Sequence, residues 1–278
     1  MRYIELELEE TRPLEGVEPP LANVCAVACP DDRFVVLCDR PDGATPRLTR
    51  WSRGGPHELT LLDAPGFIPR ILVDSEDAGR VLAVGRGENS GVLFDIIEGR
   101  VASRFNLGEG VVDATYDNEG NIVVLRAAPP LLDRYGPEGD LVERDRQIQR
   151  ICEQTRVTEG TMLLIQRDGS VWLNLCEKFN ADGELVGAID PADVFGTGHV
   201  TADLIGWDGI VVLNEAGKLY VVERAGTRRA ARLPAPDIER ALGRPLTARL
   251  DLIVTRDEML CVLATDVPRL LRFRILSE

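Results

Sequence analysis

The sequence predicts an all-β fold built from repeated small antiparallel sheets, on three observations. Short apolar runs with strand-like composition recur along the chain, most of them bounded by turns containing Gly, Asp or Asn. The first turn of each repeat falls at Asp32, Asp77, Glu119, Asp168, Asp208 and Asp257, a spacing of roughly 40 to 50 residues that suits one four-stranded sheet per repeat. One repeat is legible throughout. Tyr116–Asp145, YDNEGNIVVLRAAPPLLDRYGPEGDLVERD, reads as two hairpins closed at Asn118-Glu119-Gly120 and Pro137-Glu138-Gly139. A sheet of that size cannot bury both faces alone, so it must stack on others.

Taken in order, Arg2–Glu9 is a strand with Ile4, Leu6 and Leu8 on one face and Glu5, Glu7 and Glu9 on the other. Thr11–Pro20 reads as a linker. The first repeat (22–63) has strands Phe34–Cys38, Arg47–Ser52 and Glu58–Leu62 after the run NVCAVAC, with a Gly54-Gly55 turn. The second (66–107) has Pro69–Asp74, Val81–Gly85, Val92–Ile96 and Val101–Phe105. The third (110–145) has Val111–Thr115, Asn121–Arg126, Leu131–Tyr135 and a strand from Asp140, followed by a short helix or irregular insertion around Ile148–Thr155. The fourth (160–189) has Met162–Gln166, Val171–Cys176, a strand at Glu177–Asn180 and Leu185–Ile189, and DPADVFGTGH suggests a helical turn after it. The fifth (200–233) turns at Trp207-Asp208-Gly209, Ala216-Gly217 and Ala225-Gly226. Pro236 and Asp237 then open a short helix ending near Gly243. The sixth (247–276) has only three strands, Ala248–Thr255, Met259–Thr265 and Leu270–Leu276. Residues 2–9 supply its fourth. This closure removes the open edges of the array and predicts a six-bladed β-propeller of four-stranded antiparallel blades.

The cadence DNEGNIVVL…LLDRYGPEGDLV, weaker in RDGSVWLNL…KFNADGELV, resembles NHL-type six-bladed β-propellers. The Gly-His…Trp-Asp signature of WD40 repeats is absent, which lowers that reading.

Composition limits function. The net charge of −14 opposes a nucleic-acid or anionic-membrane surface and fits a basic protein partner. Only Lys178 and Lys218 among 32 cationic residues are lysine, a usage that reads as bacterial. The first ten residues lack the apolar core of a signal peptide, and no apolar run reaches membrane-spanning length, so a cytoplasmic monomer is expected. Cys25, Cys29, Cys38, Cys152, Cys176 and Cys261 form no CxxC pair and sit mainly in strand-like runs, as reduced buried thiols do. There is no GxSxG, P-loop or Rossmann fingerprint, and with only His57 and His199 the chain has little capacity for His chemistry.

In a propeller the loops between second and third strands share one face with the connections between blades. Here that face gathers Asp39–Pro46, Arg86–Gly91, Ala127–Pro130 and Asp266–Pro268, with the longer insertions Arg146–Val157, Asp190–His199 and Pro234–Leu246. Arg40, Arg86, Arg126 and Arg269 recur beside the first set. They are expected to ring the channel mouth and, with Arg146, Arg150 and His199 of the insertions, to bind a partner, although salt bridging to surface carboxylates also explains them. The expected function is non-enzymatic: a rigid protein- or peptide-binding module without a cofactor. The alternative, implied by resemblance to six-bladed lactonases, is a metal-dependent hydrolase. Asp113, Asn121, Asn174, Asp203 and Asn214 would be its candidate ligands, against their more ordinary role in turns. Trp51, Trp172 and Trp207 are expected in packing between blades rather than in stacking on a ligand.

Overall fold

In the computed structural model the described residues are 2–3, 5–14, 25–28, 35–39, 47–52, 55–60, 69–74, 80–85, 90–95, 98–117, 119–127, 130–137, 139–144, 151, 157–158, 161–166, 168–174, 176–188, 200–205, 209–214, 218–222, 228–243, 250–254, 260–264, 267 and 269–276. The chain divides into two compact units, one of Met1–Asp39, Thr49–His57 and Pro191–Glu278, the other of Arg40–Leu48 and Glu58–Asp190.

Strands β1 (Arg2–Tyr3) and β2 (Glu5–Pro13) open the chain. Strands β3 (Cys25–Ala28), β4 (Val35–Asp39), β5 (Arg47–Ser52) and β6 (Gly55–Thr60) form a sheet in that order. The last of them starts at Gly55 and not at Glu58. Pro56 is compatible with this because an outermost strand has an edge that needs no amide donor.

The second unit holds three consecutive four-stranded sheets: β7 (Pro69–Asp74) to β10 (Arg100–Asn106), with β8 (Arg80–Gly85) and β9 (Ser90–Asp95) between; β11 (Val111–Tyr116), β12 (Ile122–Ala127), β13 (Pro130–Tyr135) and β14 (Leu141–Arg144); and β15 (Leu163–Ile165), β16 (Val171–Leu173), β17 (Glu177–Phe179) and β18 (Leu185–Ala188). Each is antiparallel in sequence order, and β11 runs beside both β7 and β15. The middle sheet explains the stacking. Ile122 and Val124 of β12 enter a core with Leu82, Val84, Leu93 and Leu107, while Val123 and Leu125 enter another with Leu163, Ile165, Val171 and Phe179. Period-two geometry sends alternate side chains to opposite faces, so a strand buried on both reads as an uninterrupted apolar run. Ile151 and Val157, from the insertion between β14 and β15, complete the second core.

Four hairpins of this unit share one turn. Asp117, Gly136, Gln166 and Asn180 each donate their amide to the carbonyl four residues on, at 2.8–3.0 Å, and each accepts from the amide of the glycine three residues on. Those glycines, Gly120, Gly139, Gly169 and Gly183, have φ of 80, 90, 78 and 77°, the left-handed region that only glycine enters without strain. One expected strand is shorter than its apolar run suggested: β16 ends at Leu173 because Asn174 turns the chain with φ 52°.

In the first unit β19 (Val200–Ile205), β20 (Gly209–Asn214), β21 (Lys218–Val222) and β22 (Arg228–Arg232) form a sheet whose outer strand β22 takes on β1 in parallel. Strands β23 (Leu250–Val254), β24 (Leu260–Ala264) and β25 (Arg269–Leu276) form the next, and β2 pairs antiparallel with β25 as its fourth strand. The N-terminal strand thus completes the C-terminal sheet, with Leu6 and Leu8 against its core and Glu5, Glu7 and Glu9 exposed. It runs further than residue 9, through Pro13 opposite Arg269, so the start of the expected linker is strand. Helix α1 (Ala235–Leu242) buries Ile238 and Leu242 among Val211, Leu219, Val262 and Phe273. Asp237 lies in its first turn, and Gly243 ends it with φ 73° by donating its amide to Glu239 at 2.8 Å.

Candidate binding face

Antiparallel strands reverse direction at every turn, so within each sheet the loop after the second strand and the connection to the next sheet lie at the same end. In the middle sheet of the second unit that end holds Arg126, the last side chain but one of β12. It is buried; Nε donates to Asp133 Oδ2 at 2.7 Å, Nη1 to the Glu109 carbonyl at 2.8 Å and Nη2 to Tyr135 Oη at 2.6 Å. Nη2 also meets the Leu107 carbonyl, which accepts from Tyr135 Oη at 3.0 Å. Ala127 N–H adds a bond to the Gly110 carbonyl at 3.0 Å. The connection 107–110 is therefore clamped to the sheet. Gly108 has φ 74°, and a Cβ there would collide with Nη1, so the chain passes the guanidinium only as glycine. The charge is paired inside the protein and offers no open fork at a loop rim.

In the first unit Arg269, at the start of β25, donates Nη1 to the Ala241 carbonyl at 2.6 Å. A cation at the last turn of α1 satisfies an orphan carbonyl and complements the helix dipole. The start of β25 and the helix that precedes its sheet are therefore joined through this side chain. Pro236, Asp237 and Arg240 face outward on the helix, the last two in a 3.0 Å ion pair. Arg40, Arg86, Arg146, Arg150 and His199 lie outside the described residues.

The carboxylates and amides considered for a metal serve strand ties and turns instead where their side chains are described. Asp113 accepts from Ala114 N–H at 2.9 Å and, with its other oxygen, from Leu163 N–H at 2.7 Å, tying β11 to β15. Asn121 bonds Asp117 and Glu119 within its turn, Asn214 Oδ1 accepts from Lys218 N–H at 3.0 Å, and Asn174 is the left-handed turn residue. Asp203 stands on β19, its side chain outside the description. Among the described residues no three His, Cys, Asp or Glu side chains converge as a metal set would.

Sequence reasoning missed the internal polar groups. Asp117 is buried, receives the amides of Glu119 and Asn121 at 2.9 Å each, and pairs with Arg134 at 3.0 Å. Lys178 is buried opposite Trp172, its Nζ 5.5 Å from the ring centroid, a cation–π arrangement. The signal was a lysine inside a strand of a chain that elsewhere uses arginine. Cys176 and Cys261 are buried and form no disulfide, while Cys25 and Cys38 stand opposite each other in the β3–β4 register. At the turn between β9 and β10 Arg100 Nε donates to the Glu98 carboxylate, and this hydrogen bond, with the negative charge of Glu98, holds the Arg100 pKa above its ordinary value.

No family model matches the sequence, and no curated protein matches it. Solved structures do match over nearly the whole chain. Virginiamycin B lyase from Staphylococcus aureus superposes with a TM-score of 0.63 at 12% identity, covering 98% of this chain and 100% of that one. Glutaminyl cyclase from Myxococcus xanthus does so with 0.52 at 13% identity, covering 99% of each. The Pan2 WD40 domain of Neurospora crassa gives 0.56 at 9% identity, covering 100% of this chain and 98% of that one. At such identities the likeness is one of fold alone. Six small sheets among the described residues, antiparallel apart from the β1–β22 pair and sharing apolar cores where these are described, are matched along the chain by these structures and give it the fold of a β-propeller.

Proposed function

We propose that the chain is a non-enzymatic interaction module, holding a basic protein or peptide on the face formed by the connections between sheets. Helix α1 is the observation that carries this reading. A connecting segment anchored by Ile238 and Leu242 in the core, with its C-terminus held by Arg269, presents Pro236, Asp237 and Arg240 from a preordered backbone. Preordering lowers the entropy lost on association, which is what a binding surface needs and a mere linker does not. The charge of −14 steers a cationic partner toward the molecule and weakens that attraction as salt rises. The fold leaves the choice open, since its structural likenesses include enzymes and a WD40 domain. Stoichiometric calcium or zinc in the purified protein would favour the hydrolase alternative.

The test is affinity capture at low salt followed by titration of the recovered partner against the wild type and the Asp237→Lys variant. The variant should bind at least tenfold more weakly, because it reverses an exposed negative charge without touching the buried face of the helix. Equal affinity, or wild-type affinity indifferent to salt, would overturn the reading. Deleting Arg146–Val157 is a poorer experiment, since Ile151 and Val157 belong to the core.

A further inference from the structure

The outermost strand of a sheet offers unpaired amides and carbonyls to any other strand, and proteins discourage this with charge, proline or a cover. Most outer strands here carry such a device. Strand β22 is covered by β1, β2 alternates glutamates, β6 contains Pro56 and Glu58, β10 carries Arg100 and Arg104, and β14 ends in Glu143 and Arg144. Strand β18, Leu-Val-Gly-Ala, has no charge, no proline and no covering strand among the described residues. All four of its residues are exposed, Leu185 at 48% and Val186 at 56%. A register irregularity in its pairing with β17 accompanies the exposure of these two consecutive apolar side chains. Asp182 and Glu184 stand exposed at the turn that leads into it, while Lys178 across the sheet is buried.

We propose that the outer edge of β18 accepts a fifth strand from another protein: a short extended segment of β-branched residues with arginine or lysine at its ends. Backbone pairing supplies the contact, Leu185 and Val186 supply apolar area, and Asp182 and Glu184 select the cationic ends. A second copy of this chain is the wrong occupant on charge. Pairing of β18 with itself would bring together two molecules of net charge −14. This surface is distinct from the connection face, and the inference does not depend on the function proposed above.

Fluorescence anisotropy with the labelled peptide RTVTVTVR tests it. The peptide should bind the wild-type protein, with the acidic counterpart ETVTVTVE at least tenfold weaker. A version of the basic peptide N-methylated at alternate amides should lose binding, because it lacks the donors a strand requires. Leu185→Lys/Val186→Lys should weaken binding at least tenfold with an unchanged melting curve, and Val142→Lys on β14 should leave it unaltered. Three results would each overturn the proposal: no preference for the basic over the acidic peptide, equal binding of the N-methylated peptide, or unchanged binding by the double lysine variant. A dimer in sedimentation that the same variant dissociates would also overturn it, assigning the edge to a second copy. The methylated peptide decides the matter even where a variant fails to fold.

Discussion

At the scale of single residues, the buried charge of Arg126 is the most consequential feature described. Its bonds to Asp133, Tyr135 and two carbonyls satisfy a guanidinium that burial would otherwise penalise heavily. Arg126→Met removes the cation but leaves the Asp133 carboxylate with one oxygen newly unpaired and the other, Oδ1, already without a hydrogen-bond partner. The expected loss is about 3–5 kcal/mol, read from urea denaturation, because breaking one half of a buried pair strands the other. Arg126→Met/Asp133→Leu should cost clearly less than the sum of the single changes. Additive losses would mean that the pair is not coupled. The recurrence of arginine at this place was visible in the sequence; its engagement was not. Asp133 and Tyr135 reach Arg126 only once the β12–β13 register is set, and a loop-rim arginine and a clamped one look alike before that.

At the scale of elements, the shared hairpin turn is where local sequence and packing separate. Gly120 and Gly139 both have positive φ, so alanine at either strains the backbone by about 1 kcal/mol. Their surroundings differ. A Cβ at Gly120 meets nothing within 4 Å, whereas one at Gly139 would collide with the Phe105 ring. Gly120→Ala should therefore lower stability by about 1 kcal/mol, and Gly139→Ala by roughly twice that or more as Phe105 is driven from its contacts. Equal losses in parallel thermal melts would show that Phe105 moves away freely. The same turns explain what was legible. Strands β7 to β13 lie within two residues of where apolar runs between glycine turns placed them, because period, turn and run length are local signals. The break at Asn174 was not legible, since Val171–Cys176 is strand-like in composition and the left-handed turn rests on one asparagine. Helix α1 was announced by proline, aspartate and glycine at its ends, but nothing in it announced Arg269 as its C-terminal partner, 28 residues away.

At the scale of the whole chain, the N-terminal segment connects residues far apart in sequence. The missing strand of the sixth repeat was readable by counting, and β2 supplies it along the full length of β25, from Glu5 opposite Leu276 to Pro13 opposite Arg269. Strand β1, two residues in parallel with β22, was not readable, since no pattern fits in so short a run. Together they cover the outer edges of two neighbouring sheets in one unit. Removing residues 1–13 would bare both edges and uncover the apolar surface that Leu6 and Leu8 close, next to Val262 and Phe273. Pairing between chain ends closes its loop at a large entropic cost and is repaid only when the sheet completes, so its loss should be felt globally. The truncated chain is expected to melt at markedly lower temperature and to associate through the bared β25 edge. A synthetic peptide of residues 1–14 added in excess should restore the melting temperature in proportion to its occupancy. The same peptide carrying Leu6→Asp/Leu8→Asp should not, because its backbone can still pair with β25 while its apolar face cannot enter the core. Rescue by both peptides would place the stabilisation in the backbone ladder alone. Rescue by neither would mean that the strand contributes only when it is covalently joined.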